Sequence, residues 1–343
     1  MSGRLLRWLM SWGAGARDVR RGPPRLTIVR HHRVFADGER PLYALGVFES
    51  TFRAQVEVCV RAGLTPVTVR DGLEFLRRGE PGHAVAFSFD DGYADNVERA
   101  LPILARFGAR ATFYLAAGLM ESRTAPWWDE LVAILERGAA ERGSVSWGGE
   151  RVEIERASDA GRRAALVRLL PRLRAHPAEQ RVRLDALRAA LRAEEPAPCE
   201  LAPWALARGL AEAGMELGSH TLTHPYLSFL PEDEQRRQLA DAAALIRERT
   251  GAEVTGAAYP NGDHDAVTVR AARACDFAYA VATTAGDCAP GDLGPDDRRF
   301  ALPRRALPEG ACTGPAGFSR RMTLAELSGA FDALRERTRE AAS

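Results

Sequence analysis

From Leu26 onward the chain alternates short apolar runs with stretches of helical periodicity, and this restricts it to folds built on a mainly parallel sheet. Leu26-Thr27-Ile28-Val29 reads as a strand and residues 50–62 as a helix, after which Val67-Thr68-Val69 introduces a helix around Gly72 to Arg78. The unit then repeats. Val85-Ala86-Phe87-Ser88-Phe89 is a strand, Asp95 to Phe107 a helix with Pro102 inside it, and Ala111-Thr112-Phe113-Tyr114-Leu115 a buried strand. Further on, Ala205 to Ala213 is a helix stopped by Gly214, Met215-Glu216-Leu217-Gly218 a strand, residues 231–250 a helix capped by Gly251, and Thr255 to Tyr259 a strand. In parallel α/β folds the chemistry sits at the C-terminal ends of the strands.

Residues 119 to about 203 break this rhythm. They are rich in Arg, Ala, Leu and Glu at helical spacing, with one strand-like piece from Ser144 to Ile154. A helical insertion of roughly 80 residues is far longer than an ordinary βα connection, so it reads as a lid, partner surface or substrate wall, or as a solvated excursion. Trp127 and Trp128 at its start can stack on a sugar or anchor the insertion to the core. Thr323 to Arg339 reads as a surface helix without chemical signal. The resulting division is an N-terminal segment and linker over 1–25, a main domain over 26–310 containing the insertion, and a C-terminal helical segment over 311–343.

The 343 residues, 46% of them apolar, suffice for a large α/β core. Charges nearly cancel, 47 Lys and Arg against 46 Asp and Glu, so the long-range field used by nucleic-acid and anionic-membrane binders is absent. Five scattered cysteines, never spaced Cys-x-x-Cys, signal neither a disulfide framework nor a thiolate metal site. Near the start, Leu5, Leu6, Trp8, Leu9, Met10 and Trp12 form an apolar stretch interrupted by Arg7. It is too short for a spanning helix and lacks the form of a secretory signal, which favours the cytoplasm and leaves a short amphipathic surface helix open.

Four strand ends or turns carry the chemistry: Arg30-His31-His32-Arg33, Ser88-Phe89-Asp90-Asp91-Gly92, Gly218-Ser219-His220-Thr221-Leu222-Thr223-His224-Pro225 and Tyr259-Pro260-Asn261-Gly262. Two imidazoles four residues apart and a distant carboxylate supply three N/O ligands, the number a catalytic divalent metal keeps when one position is left for water. Gly92 lets the chain turn so that Asp90 and Asp91 face one pocket; a turn with solvated acids is the alternative. Pro225 disfavours a helical His224, which places His220 to His224 in a loop rather than on a helix face. Either imidazole alone could be a satisfied core residue, but a pair is notable in a chain with seven histidines. His31 and His32 can enter the same pocket or serve as structural donors, and spacing does not decide between them. His264 reads as a solvated loop residue, and His83 and His176 as surface.

These motifs resemble those of the polysaccharide deacetylases with the NodB homology domain, carbohydrate esterase family 4. The family's T-F-D-D-G is present as Ser88-Phe89-Asp90-Asp91-Gly92, and its H-[ST]-x-x-H as His220-Thr221-Leu222-Thr223-His224. The resemblance runs from about Leu26 to Leu307. It implies a distorted (β/α) barrel of the NodB type, a divalent metal with zinc the first choice, held by Asp91, His220 and His224, and Asp90 as general base. Two departures stand out. The usual R-P-P-Y-G is replaced by Ala257-Ala258-Tyr259-Pro260-Asn261-Gly262, without its Arg, and no Leu-x-His occurs after residue 264. Both features are similar to a branch with rearranged motifs, in which a His of a Y-H-R-V-like segment near the N-terminus replaces the C-terminal acid. Here that segment is His31-His32-Arg33-Val34, which nominates His32 as general acid. Arg304, in Leu302-Pro303-Arg304, is the remaining candidate to pair with Asp90, with a structural surface role the alternative. The Asn261 backbone N–H would help hold the oxyanion.

The expected activity is hydrolysis of N-acetyl groups on amino sugars of a polysaccharide or glycan precursor, in exopolysaccharide or cell-envelope metabolism. The expected partner is an N-acetylated glycan, with no nucleic acid, no strong membrane signal and the oligomeric state open. Hydrolysis of another amide, cyclic imide or O-acetyl ester remains an alternative, as do a non-catalytic glycan-binding descendant and a scaffold for an envelope complex.

Overall fold

A computed structural model describes residues 22–332 except 195, 295 and 296, together with residue 11. The N-terminal apolar stretch otherwise lies outside the described residues. Every apolar run named above joins one parallel sheet except Val67 to Val69. Its strands are β1 (Arg25–His31), β2 (His83–Phe89), β3 (Ala111–Leu115), β4 (Glu216–Ser219), β5 (Val254–Ala258), β6 (Tyr279–Val281) and β7 (Arg305–Ala306). Their order across the sheet is β6-β5-β4-β3-β2-β1-β7. All neighbours are parallel. Val67 makes a single bridge to Ala86, and the helix after it starts at once, as Val69–Arg78, because the Thr68 hydroxyl caps it.

The sheet curls, and the segment from Leu302 to Ala306 spans its open side. Leu302 pairs with β6, donating to Ala280 O at 3.0 Å and accepting from Ala282 N at 2.9 Å, while Arg305 pairs with Val29 of β1. The result is a distorted (β/α) barrel. Side chains alternate along β1: Leu26 and Ile28 pack inside with Tyr114 and Tyr279, whereas Val29 faces the outer helix Glu49–Arg61 together with Phe52. The alternation therefore puts Arg30 on the inner side at the strand's C-terminal end. His31 turns outward, its ring 5.5–5.7 Å from those of Phe52, Phe87 and Phe89.

The barrel's floor is filled by Tyr114 and Tyr279. Gly218 makes the room: a Cβ there would stand 2.4 Å from the Tyr114 ring. Below them the buried Glu216 accepts from the Tyr279 hydroxyl at 2.9 Å, the Thr112 hydroxyl at 2.7 Å and Arg70 N at 3.0 Å, and burial raises its pKa. No helix among the described residues is long and apolar enough to cross a membrane.

The expected insertion is helical except for an antiparallel hairpin, Arg142–Trp147 with Glu150–Glu155, so the single strand-like piece is two strands turning at Gly148-Gly149. It has its own core, including Leu131, Ile134, Val152, Leu166, Leu187 and Leu191. Other expectations are corrected as well. The C-terminal helix is Arg320–Leu327 and is not a surface element, since Met322, Ala325 and Leu327 are buried; residues beyond 332 lie outside the described ones. His264 is half-buried, stacked on Tyr259 with ring centroids 5.3 Å apart. His83 is buried rather than on the surface, because the β1/β2 register sets it beside Arg25 and Thr27. Arg25 donates to its Nδ1 at 3.1 Å and its Nε2 lies 2.8 Å from the Thr27 hydroxyl, which donates on to Asp287 at 2.7 Å. Burial first, then Arg25, pushes His83 down to about 4, and burial pushes His31 down to about 3.

Both imidazoles are thus neutral in the fold and would protonate near pH 6.5 once unfolded. The unfolded chain binds more protons below that value, so stability falls as pH drops. His83 alone accounts for about 2 kcal/mol between pH 7 and pH 5. Urea denaturation at the two pH values should show this loss, and His83→Gln should reduce it; identical pH dependence in both proteins would refute the assignment.

Candidate active site

The C-terminal ends of β1, β2, β4 and β5 deliver the four motifs to one cleft of about 330 Å3, whose lining includes Arg30, His32, Asp90, Asp91, His224 and Asn261. Four residues of the site adopt left-handed backbone: Asp91 (φ 75°), Thr221 (φ 67°), His224 (φ 55°) and Asn261 (φ 57°). For β-branched Thr221 this conformation is a genuine strain. It is held by contacts on both sides: its hydroxyl accepts from His224 N at 3.0 Å and its carbonyl from Ala117 N at 3.1 Å. The loop after β4 is a set of tight turns rather than a helix, in line with the expectation from Pro225.

At the base of the cleft Asp91, His220 and His224 converge, with one ligand atom from each within 4.8 Å of the others. His220 Nε2 lies 3.4 Å and His224 Nε2 3.5 Å from Asp91 Oδ1. All three are buried, and among the described residues neither Asp91 oxygen has a hydrogen-bond partner. A buried carboxylate left without donors is costly unless a cation compensates it. His220 Nδ1 faces Ala258 O at 2.8 Å, an arrangement in which Nδ1–H donates and Nε2 keeps a free lone pair. Burial and then His220 push His224 down to about 3, leaving the neutral imidazole that binds metals. The donor set, its burial and its orphaned oxygens all fit a divalent cation of zinc type.

Asp90 is in a different environment. Arg304 clamps both of its oxygens, Nη1 to Oδ1 at 2.7 Å and Nη2 to Oδ2 at 2.8 Å. The guanidinium is fully buried, and its remaining donors reach Ala282 O at 2.8 Å and Ser88 Oγ at 3.2 Å. Burial alone would raise the Asp90 pKa; Arg304 foremost, with His220 and His32, outweighs it and holds the carboxyl well below the usual range. Arg304 is not a surface residue: it rides on the segment that closes the barrel, which is why it points inward. His32 Nε2 stands 3.9 Å from Asp90 Oδ2, and burial lowers its proton affinity against the pull of Asp91 and Asp90. In the Pro-Asn-Gly turn, Gly262 N bonds to Tyr259 O at 2.8 Å and Asp263 N to Pro260 O at 2.9 Å, and Asn261 lies at the cleft wall.

The insertion supplies the opposite wall, with Trp127, Leu170 and Pro171. The anchoring reading of the tryptophan pair finds a counterpart in one member. Trp128 anchors: its Nε1–H donates to Tyr93 Oη at 2.7 Å, the Tyr93 hydroxyl donates to Asp129 at 2.9 Å, and its ring meets that of His224 at 4.3 Å. Trp127 is half-buried on the cleft beside Tyr226. Tyr43, Leu170 and Tyr226 are lining residues that the motifs did not single out, and Arg30 stood at the head of its motif without a role assigned to it.

A family model for polysaccharide deacetylases matches residues 77–184 and 159–280, which together span more than half of the chain. No curated protein matches. Among solved structures, the Streptococcus pyogenes deacetylase PplD in complex with acetate aligns with a TM-score of 0.59 at 16% identity, covering 89% of this chain and 99% of its own. IcaB from Ammonifex degensii aligns with a TM-score of 0.55 at 17% identity, over 90% of this chain and 98% of its own. The BpsB deacetylase domain from Bordetella bronchiseptica aligns with a TM-score of 0.51 at 17% identity, over 83% and 96%. These likenesses share the barrel, and the family match adds the sequence: the chain belongs to the polysaccharide deacetylase family, enzymes that cleave acetamide bonds.

Proposed function

We propose that this protein is a metal-dependent hydrolase removing N-acetyl groups from amino sugars of a glycan, as in exopolysaccharide or envelope metabolism. One observation carries the reading: a buried carboxylate held ionised by Arg304 stands beside a buried Asp-His-His triad at the base of an open cleft. Asp91, His220 and His224 would hold the metal, with zinc the first choice. Bound there, a divalent ion would acidify water and polarise the acetamide carbonyl.

The protein's own groups do the rest. Asp90, held ionised and aimed by the two-pronged grip of Arg304, accepts the proton of the attacking water. The Asn261 N–H donates to the carbonyl oxygen as it becomes an oxyanion. His32 Nε2 protonates the departing nitrogen, and its neutral resting state means that the proton Asp90 gains is the one passed on. Residues 26–310 form the catalytic domain, and the insertion is its substrate wall.

The test is acetate release from a panel of N-acetylated oligosaccharides by the metal-loaded protein. Release of acetate supports the reading, and its absence with every member of the panel would favour a binding protein. His32→Ala should keep its metal by elemental analysis and lose turnover by about a hundredfold or more, the range of general acid catalysis. Full activity in that variant would remove His32 from the mechanism.

A further inference from the structure

Arg30 is the charge that the mechanism leaves unused. It ends the inner face of β1 beside Asp90 and Asp91, yet its guanidinium has no hydrogen bond or ion pair among the described residues. Asp90 is already clamped by Arg304 on both oxygens, and Asp91 sits in the triad. Among the described residues no other carboxylate lines the cleft. Arg30 therefore faces the substrate space as a surplus cation. Although burial lowers its pKa, a guanidinium remains charged across the accessible pH range.

The space around it is built to continue the cleft. Arg30, His32 and Leu45 line both the main cleft and an adjoining cavity of about 160 Å3, closed further by Val47, Ala306 and Pro308. Among the described residues that cavity has Arg30, His31 and His32 as its polar side chains and no acid. A cavity that presents a desolvated, unpartnered guanidinium and no carboxylate discriminates by charge, because an anion gains paired hydrogen bonds that a neutral hydroxyl cannot match.

We propose that the substrate is an anionic glycan, and that Arg30 binds its carboxylate or phosphate oxygens in the cavity next to the acetamide-bearing sugar. This rests on the deacetylase reading above. The fork of Arg30 would seat two oxygens at once and fix the glycan's register, so that the acetamide meets Asp90 and His32. The same residue holding the reaction's own oxyanion is the competing role, and it predicts a different kinetic pattern.

Three N-acetylated substrates separate these cases: a neutral oligosaccharide, one whose neighbouring sugar is a uronate, and an N-acetyl amino sugar carrying a phosphate. The native enzyme should prefer one anionic substrate over the neutral one by at least about tenfold in kcat/KM, with uronate and phosphate telling the two anion sources apart. In Arg30→Met this preference should fall about tenfold, mainly through KM, with Arg30→Lys between the two because it keeps charge but loses the fork. Equal kcat/KM on all three substrates in the native enzyme would overturn the anionic subsite while leaving deacetylation intact. An equal drop in kcat on every substrate in Arg30→Met would also overturn it, in favour of the oxyanion role. If no substrate releases acetate, the deacetylase reading falls, and calorimetry with the same ligands decides the subsite: tighter anion binding by the native protein than by Arg30→Met upholds it, and equal binding overturns it.

Discussion

Asp91→Ala and His220→Ala proteins are expected to purify without metal and to release no acetate. The orphaned oxygens of Asp91 are the reason, buried as they are with His220 and His224 and without any donor. With three protein ligands, loss of one leaves a pair of neighbouring groups that no longer encloses the ion. Stability gives a second readout. Metal added to the native apoprotein at about a thousandfold over its dissociation constant should stabilise the fold by about 4 kcal/mol, whereas Asp91→Ala should show no metal-dependent shift. A metal-dependent melting shift that survives in Asp91→Ala would place the ion elsewhere.

Arg304→Met should be the other severe change, and for a different reason. The substitution leaves Asp90 buried without its partner, and breaking a buried pair in this way costs about 3 to 5 kcal/mol. The carboxyl then relieves itself by keeping its proton toward neutral pH, where it no longer accepts one from water. Turnover at pH 7 should fall by about a hundredfold or more, the loss of a general base. Arg304→Lys should lie between, having charge without the two-pronged grip. The double substitution Asp90→Asn with Arg304→Met should recover most of the lost stability but none of the activity. A double-mutant cycle with no coupling between the two sites would show that the pair seen at 2.7 and 2.8 Å does not bear on either property.

Legibility in the sequence tracks the range of the interaction. His220 and His224 are readable because five consecutive residues hold them, and Asp90 with Asp91 because a strand and a glycine flank them. Arg304 can be nominated only as a remaining candidate, since its partner lies 214 positions away and the strand next to it, β7, is two residues long. Such a short strand has no period to detect. Arg30 is legible as a member of its motif but not in its role, because that role lies in what it fails to contact. His83 looks like a surface residue because a polar sequence neighbourhood says nothing about the strand alongside; the register with Arg25 and Thr27 makes it an internal group. The tight hairpin of the insertion is hinted at by Gly148-Gly149, yet its two strands merge into one when the pairing is unseen.

The segment from Leu302 to Ala306 closes the barrel and carries Arg304 in the same few residues. A nascent chain that has emerged only as far as β6 would already own the Asp-His-His triad, the strained loop and His32. It would lack the guanidinium that clamps both oxygens of Asp90. On the proposed mechanism, a product truncated there would carry the three candidate metal ligands but not the guanidinium that grips Asp90.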